Sequence, residues 1–355
     1  MPLDRETAED LVLGGAILGG GGGGHLAHGR ALMRLALEIG RPRLVALDAL
    51  PDDALVVTVS GVGAPSATDQ DVRVADYAAS VRLLAERLDR PIAGFVSSEN
   101  GGFSSANGFI QSALTGLPVI DAPCNGRAHP TGVMGSIGLD REPGYVARQA
   151  AVGGTPGTRR VSVYVEGDLA SVDHVVRQSA VAAGGLVAVT RNPVTAAYLR
   201  AHAAPGALGL ACRLGRLVRE CEAGGGLAVA RALAAELGGE VVASGPVEGY
   251  ALRMAGGYDV GSLRVGDAEA TFWNEYMTVE AGGRRRATFP DLIVTLDAHD
   301  GRPRSTAELA DGAAVVLVTI PKARIPLGAG VRHPESLRPI EAAVGREIVR
   351  FHAEA

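Results

Sequence analysis

The sequence is poor in what secreted, membrane-bound and nucleic-acid-binding proteins need. Its 355 residues include only three cysteines, Cys124, Cys212 and Cys221. An odd number without framework spacing argues against a disulfide scaffold and for a reducing compartment. Excess positive charge is missing too. The formal net charge is −5, where a nucleic-acid binder shows a basic face. The tight basic cluster Arg284–Arg285–Arg286 follows two glycines and reads as an exposed turn. "MPLDRETAED" is acidic and polar, whereas a secretory signal opens basic and turns apolar. Apolar runs are short or broken by glycine, arginine or aspartate, far below the ~20 residues of a membrane span. The expectation is a soluble cytoplasmic protein whose partner is a small molecule, neither nucleic acid nor membrane, with a homo-oligomer left open.

Apolar residues and glycine are what the chain does have. Hydrophobic residues make up 47% and charged residues 21%, enough for large cores, and the length suits two or three domains. Up to about residue 150, β candidates such as "ALVVTVSGVG" and "PIAGFVSS" alternate with helical patterns such as "VRVADYAASVRLLAERL". That alternation predicts an α/β layer on a parallel or mixed sheet. "VGGTPGTRR", residues 152–160, is dense in turn formers and reads as a linker. Beyond it come a strand–helix–strand stretch, helix-rich segments including "RNPVTAAYLRAH", and a β-rich part at about 240–327. The expected fold is α/β: an N-terminal domain over 1–157, then a C-terminal α+β domain over 158–355.

"GGAILGGGGGGHLAHGR", residues 14–30, holds six consecutive glycines, Gly19 to Gly24. Such a run suits backbone at positive φ or in very close approach to something. A Gly-rich turn entering a helix also offers N–H groups to an anion. The dinucleotide fingerprint, however, needs a strand before the loop and an acid about 20 residues later. Here a helical segment precedes, Asp48 is the acid near that distance, and no Walker lysine follows. Close approach is the stronger reading, with Gly22, Gly23 and Gly24 as substrate-facing backbone. On that reading, valine at Gly22 or Gly23 abolishes ligand binding and leaves the fold largely intact. His25 and His28, spaced i, i+3 at a helix start, either face one point or sit exposed in the first turn.

Two post-strand stretches carry the remaining chemistry. "SSENGGFSSANG", residues 97–108, puts Glu99 at a strand's C-terminal edge, where α/β sheets keep their sites. Asn100 reads as helping the turn. "PVIDAPCNGRAHP", residues 118–130, crowds Asp121, Cys124, Asn125, Arg127 and His129 into one loop. Cys124 is a nucleophile if Arg127 or His129 lowers its pKa, a soft metal ligand, or a small buried hydrophobe. Farther on, "FWNEYM" alternates like a strand with Asn274 and Tyr276 opposite Glu275, and Asp291 of "FPDLIVTLD" could point toward a cleft. No helical His-Glu-x-x-His or paired-cysteine signature exists. His25, His28, Cys124 and His129, with Asp121, still offer donor types that zinc accepts, which makes zinc the candidate cofactor.

With "GGGGGGHLAHG", "ENGG", "PVIDAPCNGRAHP", "FWNEYM" and "FPDLIVTLD" in this order, the chain resembles the S-methyl thiohydantoin desulfurase family. The resemblance implies an N-terminal α/β layer and a C-terminal α+β unit. It also implies hydrolytic replacement of a thiohydantoin's thiocarbonyl sulfur, releasing sulfide and leaving a hydantoin. The expected function is therefore a hydrolase acting on a small five-membered cyclic amide or thioamide. Water activated by Glu99, by His129 or by a metal attacks the carbon between the ring nitrogens, with Cys124 and Asp121 as further catalytic candidates. The glycine amides face the developing anion. Asn100 and Arg127 bind substrate, Arg127 by gripping a carboxylate. The alternative is a non-catalytic binding or accessory subunit of a hydantoinase-type enzyme, docking through the glycine loop.

Overall fold

The computed structural model describes residues 3–63, 67, 69–256 and 258–353. Helix α1 (Arg5–Leu18) carries the run "LVLGGAIL". A helix apolar on every side has to be buried all round. Accordingly Leu11 and Val12 enter one hydrophobic core, while Leu13, Ile17 and Leu18 enter another. Asp4 starts the helix by accepting the Thr7 N–H at 2.7 Å. Helix α2 (Leu26–Ile39) follows the glycine run.

The first sheet contains β1 (Leu44–Val45), β2 (Leu55–Gly63), β3 (Ile92–Ser97), β4 (Val119–Ile120), β5 (Ala147–Gly153), β6 (Val161–Gly167) and β7 (Leu186–Thr195). Its order is β1-β4-β3-β2-β7-β5-β6. The first four strands are mutually parallel, and β7, β5 and β6 add antiparallel. Helices α3 (Val74–Ala85), α4 (Phe109–Thr115) and α5 (Leu169–Ala182) lie between these strands in sequence. The layer is mixed α/β.

Two local expectations change. "VGGTPGTRR" is no linker: it ends β5 and turns directly into β6, with Ala147 opposite Gly167 and Gly153 opposite Val161. Gly154 and Gly157 supply the positive φ, 80° and 84°, that the turn requires. The sheet therefore runs across 157/158 and continues to Thr195. "RNPVT" is not helical either; it finishes β7, where Arg191 lies opposite both Thr58 and Gln149. Helix α6 (Ala196–His202) begins only after Thr195 caps it.

Helices α7 (Ala207–Cys221) and α8 (Gly225–Leu237) lead into the second sheet. It holds β8 (Glu240–Ala255), β9 (Tyr258–Val265), β10 (Ala268–Trp273), β11 (Glu275–Ala281), β12 (Arg284–Thr288), β13 (Leu292–Asp297), β14 (Pro303–Arg304) and β15 (Ala314–Ile320). The order is β12-β11-β10-β9-β8-β15-β13-β14, antiparallel throughout. The arginine cluster is part of β12, with Arg285 paired to Glu280 and Arg286 to Glu240. Helices α9 (Arg338–Val344) and α10 (Val349–Ala353) come last. The C-terminal part is thus rich in antiparallel sheet. Among the described residues no helix is long and apolar enough to cross a membrane.

Glycine sets the closest contacts. A Cβ on Gly14 would lie 1.8 Å from the Ala211 carbonyl oxygen, and one on Gly215 1.9 Å from that of Asp10, so α1 and α7 meet backbone to backbone. In the glycine run, Gly20, Gly21, Gly23 and Gly24 take φ of 54°, 89°, 72° and 78°. A Cβ on Gly23 would sit 2.5 Å from Gly101 Cα, and one on Gly22 2.1 Å from Glu275 Oε1. The run is pinned between the "ENGG" loop and the β10–β11 turn. Valine at Gly22 or Gly23 therefore damages packing directly, against the expectation of an intact fold. We expect Gly23→Ala to destabilise clearly more than Gly116→Ala. Gly116 shares the left-handed backbone (φ 77°) but has open space around it. The backbone strain common to both costs about 1–2 kcal/mol. Urea unfolding measures the difference, and equal losses would show that space at Gly23 is not limiting.

Candidate active site

A cavity of about 300 Å³ lies where these loops meet. Its walls come from the glycine run (Gly23, Gly24), the start of α2 (His25, His28), the loop after β3 (Ser98, Glu99, Phe103) and the loop after β4 (His129 to Gly132). Arg177 of α5, Arg191 of β7, Asn274 and Glu275 at the β10–β11 turn, and the end of β2 with Tyr77 of α3 add further wall.

Glu99 is held by its own loop and by the next one. The N–H groups of Phe103 and Ser104 both donate to the Gly23 carbonyl at 3.0 Å, docking the "ENGG" loop on the glycines. Ser104 Oγ donates to Glu99 Oε1 at 2.8 Å, and the His129 N–H to Oε2 at 3.0 Å. The His129 ring places Nε2 3.4 Å from Glu99 Oε2 and 3.3 Å from the Ser98 carbonyl. Both are acceptors, so the hydrogen-bond network assigns the ring hydrogen to Nε2. Nδ1 is buried without a partner.

Glu275 arrives from the other half of the chain. Asn274 adopts φ 58°, a left-handed turn that asparagine tolerates, and its side chain accepts the Asp259 N–H at 2.9 Å. Glu275 follows, lies on Gly22, accepts from the Gly23 N–H and leaves Oε2 buried without a partner. Burial, and then the charge on Glu99, push its carboxyl well above the usual carboxylate range, with Arg127 pulling the other way. Two carboxyl groups thus face one cavity in different environments.

Other expected residues serve the scaffold. Arg127 is fully buried outside the cavity wall. It donates to the carbonyls of Ala128 (3.1 Å), Asp291 and Tyr276 (3.5 Å), and stacks 4.5 Å over Phe289. Burial draws its pKa down to about 10, the charge of Glu275 opposing. Its donors are spent on the protein, so the substrate carboxylate expected there has no grip. Asp121 accepts the N–H groups of Leu208 and Gly209, at 2.7 and 3.1 Å, in the first turn of α7. Asn100 donates to the Gly126 and Ala207 carbonyls at 3.2 and 3.0 Å. Asn125 donates to Arg127's carbonyl at 2.8 Å and accepts the Gly328 N–H at 3.0 Å. Asp291 accepts from the Thr288 and Lys322 N–H groups rather than facing the cleft.

Cys124 takes the third role open to it. It is fully buried in an apolar cluster with Thr58 Oγ1 at 3.2 Å, and burial pushes its thiol up to about 11, opposite to an activated thiolate. The expected metal quartet does not assemble. His25 pairs with Glu308 at 3.5 Å and meets His28 edge-on at 5.4 Å, while Cys124 and His129 are engaged separately. Among the described residues no three or more His, Cys, Asp or Glu side chains converge as ligands. These residues do not fit zinc. Asp48 has its side chain 94% exposed beside Arg200 and does not line the cavity.

Glu99, His129, Gly23 and Gly24 do line the cavity, as do His25 and His28. Glu275, Arg177 and Arg191 were not expected there. A signal for Glu275 existed: it is the one acid within the otherwise buried aromatic run Phe272, Trp273, Tyr276, Met277.

The S-Me-THD-like N-terminal domain model matches residues 6–155, and the S-Me-THD-like C-terminal domain model matches 167–326. The chain belongs to the S-methyl thiohydantoin desulfurase family. An X-ray structure of a protein from Chromobacterium violaceum shares this fold: 22% identity, 96% of each chain covered, TM-score 0.72. No curated protein matches the chain. The cavity of this S-Me-THD-like chain takes residues from both matched domains.

Glu275 makes stability depend on pH. An unfolded carboxyl ionises near ~4.3, while the folded one keeps its proton to higher pH. Above the unfolded value the native state binds more protons, so stability falls as pH rises toward the folded value. Glu275→Gln removes that loss and keeps an acceptor for Gly23. The variant should be more stable than the parent at pH 8, with the gain shrinking toward pH 4. Urea unfolding at both values decides it, and no gain at pH 8 refutes the assignment.

Proposed function

We propose that the protein is a hydrolase that exchanges the thiocarbonyl sulfur of a thiohydantoin-type ring for oxygen, releasing sulfide. The observation that carries this is the pair of glutamates. Glu99 accepts from Ser104 and His129, whereas Glu275 is buried with one oxygen unpartnered and its proton held. Two carboxyls in such different surroundings are suited to act as base and acid. A cavity of about 300 Å³ also suits a small ring.

In the first step a water oxygen bonds to the ring carbon between the two nitrogens. Glu99 takes the water proton, and Glu275 gives its proton to the sulfur. The carbon then carries hydroxyl and thiol. In the second step Glu275 takes the hydroxyl proton as the carbonyl forms, the C–S bond breaks, and Glu99 returns its proton to the departing sulfur. Both carboxyls end as they began, and water plus thiohydantoin has become hydantoin plus hydrogen sulfide. Neither Cys124 nor a metal enters.

The full-length protein incubated with 2-thiohydantoin should yield sulfide and hydantoin in equal amounts. Glu99→Gln and Glu275→Gln should each lower kcat by about 10²- to 10⁴-fold. Folded protein that binds the ring without releasing sulfide would point instead to an accessory binding subunit.

A further inference from the structure

We propose that the cavity selects rings bearing a carboxylate arm, gripped by Arg191 and Arg177; this rests on the hydrolase reading above. Arg191 of β7 is 5% exposed. Its guanidinium meets Asp173 through one terminal nitrogen at 3.2 Å, and its Nε is buried with no partner. Arg177 stands four residues after Asp173 on α5, so the two project from one helix face. It stacks 4.8 Å over the Tyr258 ring, and its Nε is also buried and unpartnered. Both arginines line the same cavity as Glu99 and Glu275.

A buried guanidinium N–H without an acceptor is unfavourable, and native proteins leave few of them. Here two occur on residues that line one cavity. Asp173 is ion-paired with Arg191, and among the described residues no carboxylate lies within ion-pair distance of Arg177, which leaves its positive charge uncompensated on this part of the wall. A ligand carboxylate supplies what is missing: acceptor oxygens for planar donors, and one negative charge. The remaining ionisable residues lining the cavity are Glu99, Glu275, His129, His25, His28 and Tyr77. Glu99 repels an anion, which turns the arm away from the reacting carbon and toward the arginines. The arm Arg127 was expected to hold thus passes to Arg191 and Arg177.

The test compares 2-thiohydantoin-5-acetic acid with its primary amide, nearly equal in shape and differing in charge. With the full-length protein, kcat/KM for the acid should exceed that for the amide about 10- to 100-fold, mainly through KM. Arg177→Met should bring that ratio close to one. Arg191→Lys keeps a cation for Asp173 and should lower the ratio partway, since the planar fork is lost. Thermal melts confirm that each variant is folded. Calorimetric binding of hydantoin-5-acetic acid and its amide reads the same preference without chemistry. Equal handling of acid and amide by the parent protein, in turnover and in binding, overturns the proposal. Preferential binding of the acid with no sulfide from either substrate supports the arginine pair and overturns the hydrolase reading.

Discussion

Everything at the site depends on one close approach, that of the glycine run to both halves of the chain. Gly20's carbonyl accepts the Tyr276 N–H and Gly21's the Thr306 N–H, each at 2.8 Å, while Gly23's takes Phe103 and Ser104. No side chain fits at these points, because each missing Cβ is where another segment lies. Six glycines are entropically unfavourable to order. What offsets this is a seam in which backbone bonds backbone, with Arg127 crossing it underneath to carbonyls on the C-terminal side. The seam puts Glu99 and Glu275 on one cavity.

Charge is arranged around that seam by environment more than by residue type. Glu308 ends the same contact from the C-terminal side: its hydrogen bond with His25 outweighs burial and holds its carboxyl down at about 2. Glu275, which lies against Gly22 of the same run, is driven in the opposite direction by burial and by Glu99. Two glutamates beside one loop are thus shifted in opposite directions, one chiefly by its hydrogen bond with His25 and the other chiefly by burial.

The mixed first sheet and the β-rich second one were legible from strand and helix periods, and the post-strand position of Glu99 and His129 was legible from loop chemistry. The rest depended on what sequence does not encode locally. "PVIDAPCNGRAHP" looks reactive because polar residues crowd it, yet Asp121 satisfies the first turn of α7, Asn125 the Gly328 N–H, and Arg127 the Ala128 carbonyl. "VGGTPGTRR" has the composition of a linker and of a hairpin turn alike, and only strand pairing separates them. Arg191 sat in a stretch whose alanines and leucine suggested helix, but β2 and β5 on either side impose strand. Glu275 acquires its meaning from Gly22, far away in the chain.

The division of the site between the two ends of the chain has a consequence for biosynthesis. A growing polypeptide emerges N-terminus first, so the loop of Glu99 leaves the ribosome long before the turn of Glu275. Until the antiparallel sheet has closed on the glycine run, Glu99 has no Glu275 facing it and the cavity lacks its C-terminal wall. A nascent or half-unfolded molecule therefore lacks the assembled cavity. A complete cavity thus marks a chain whose two halves have both folded.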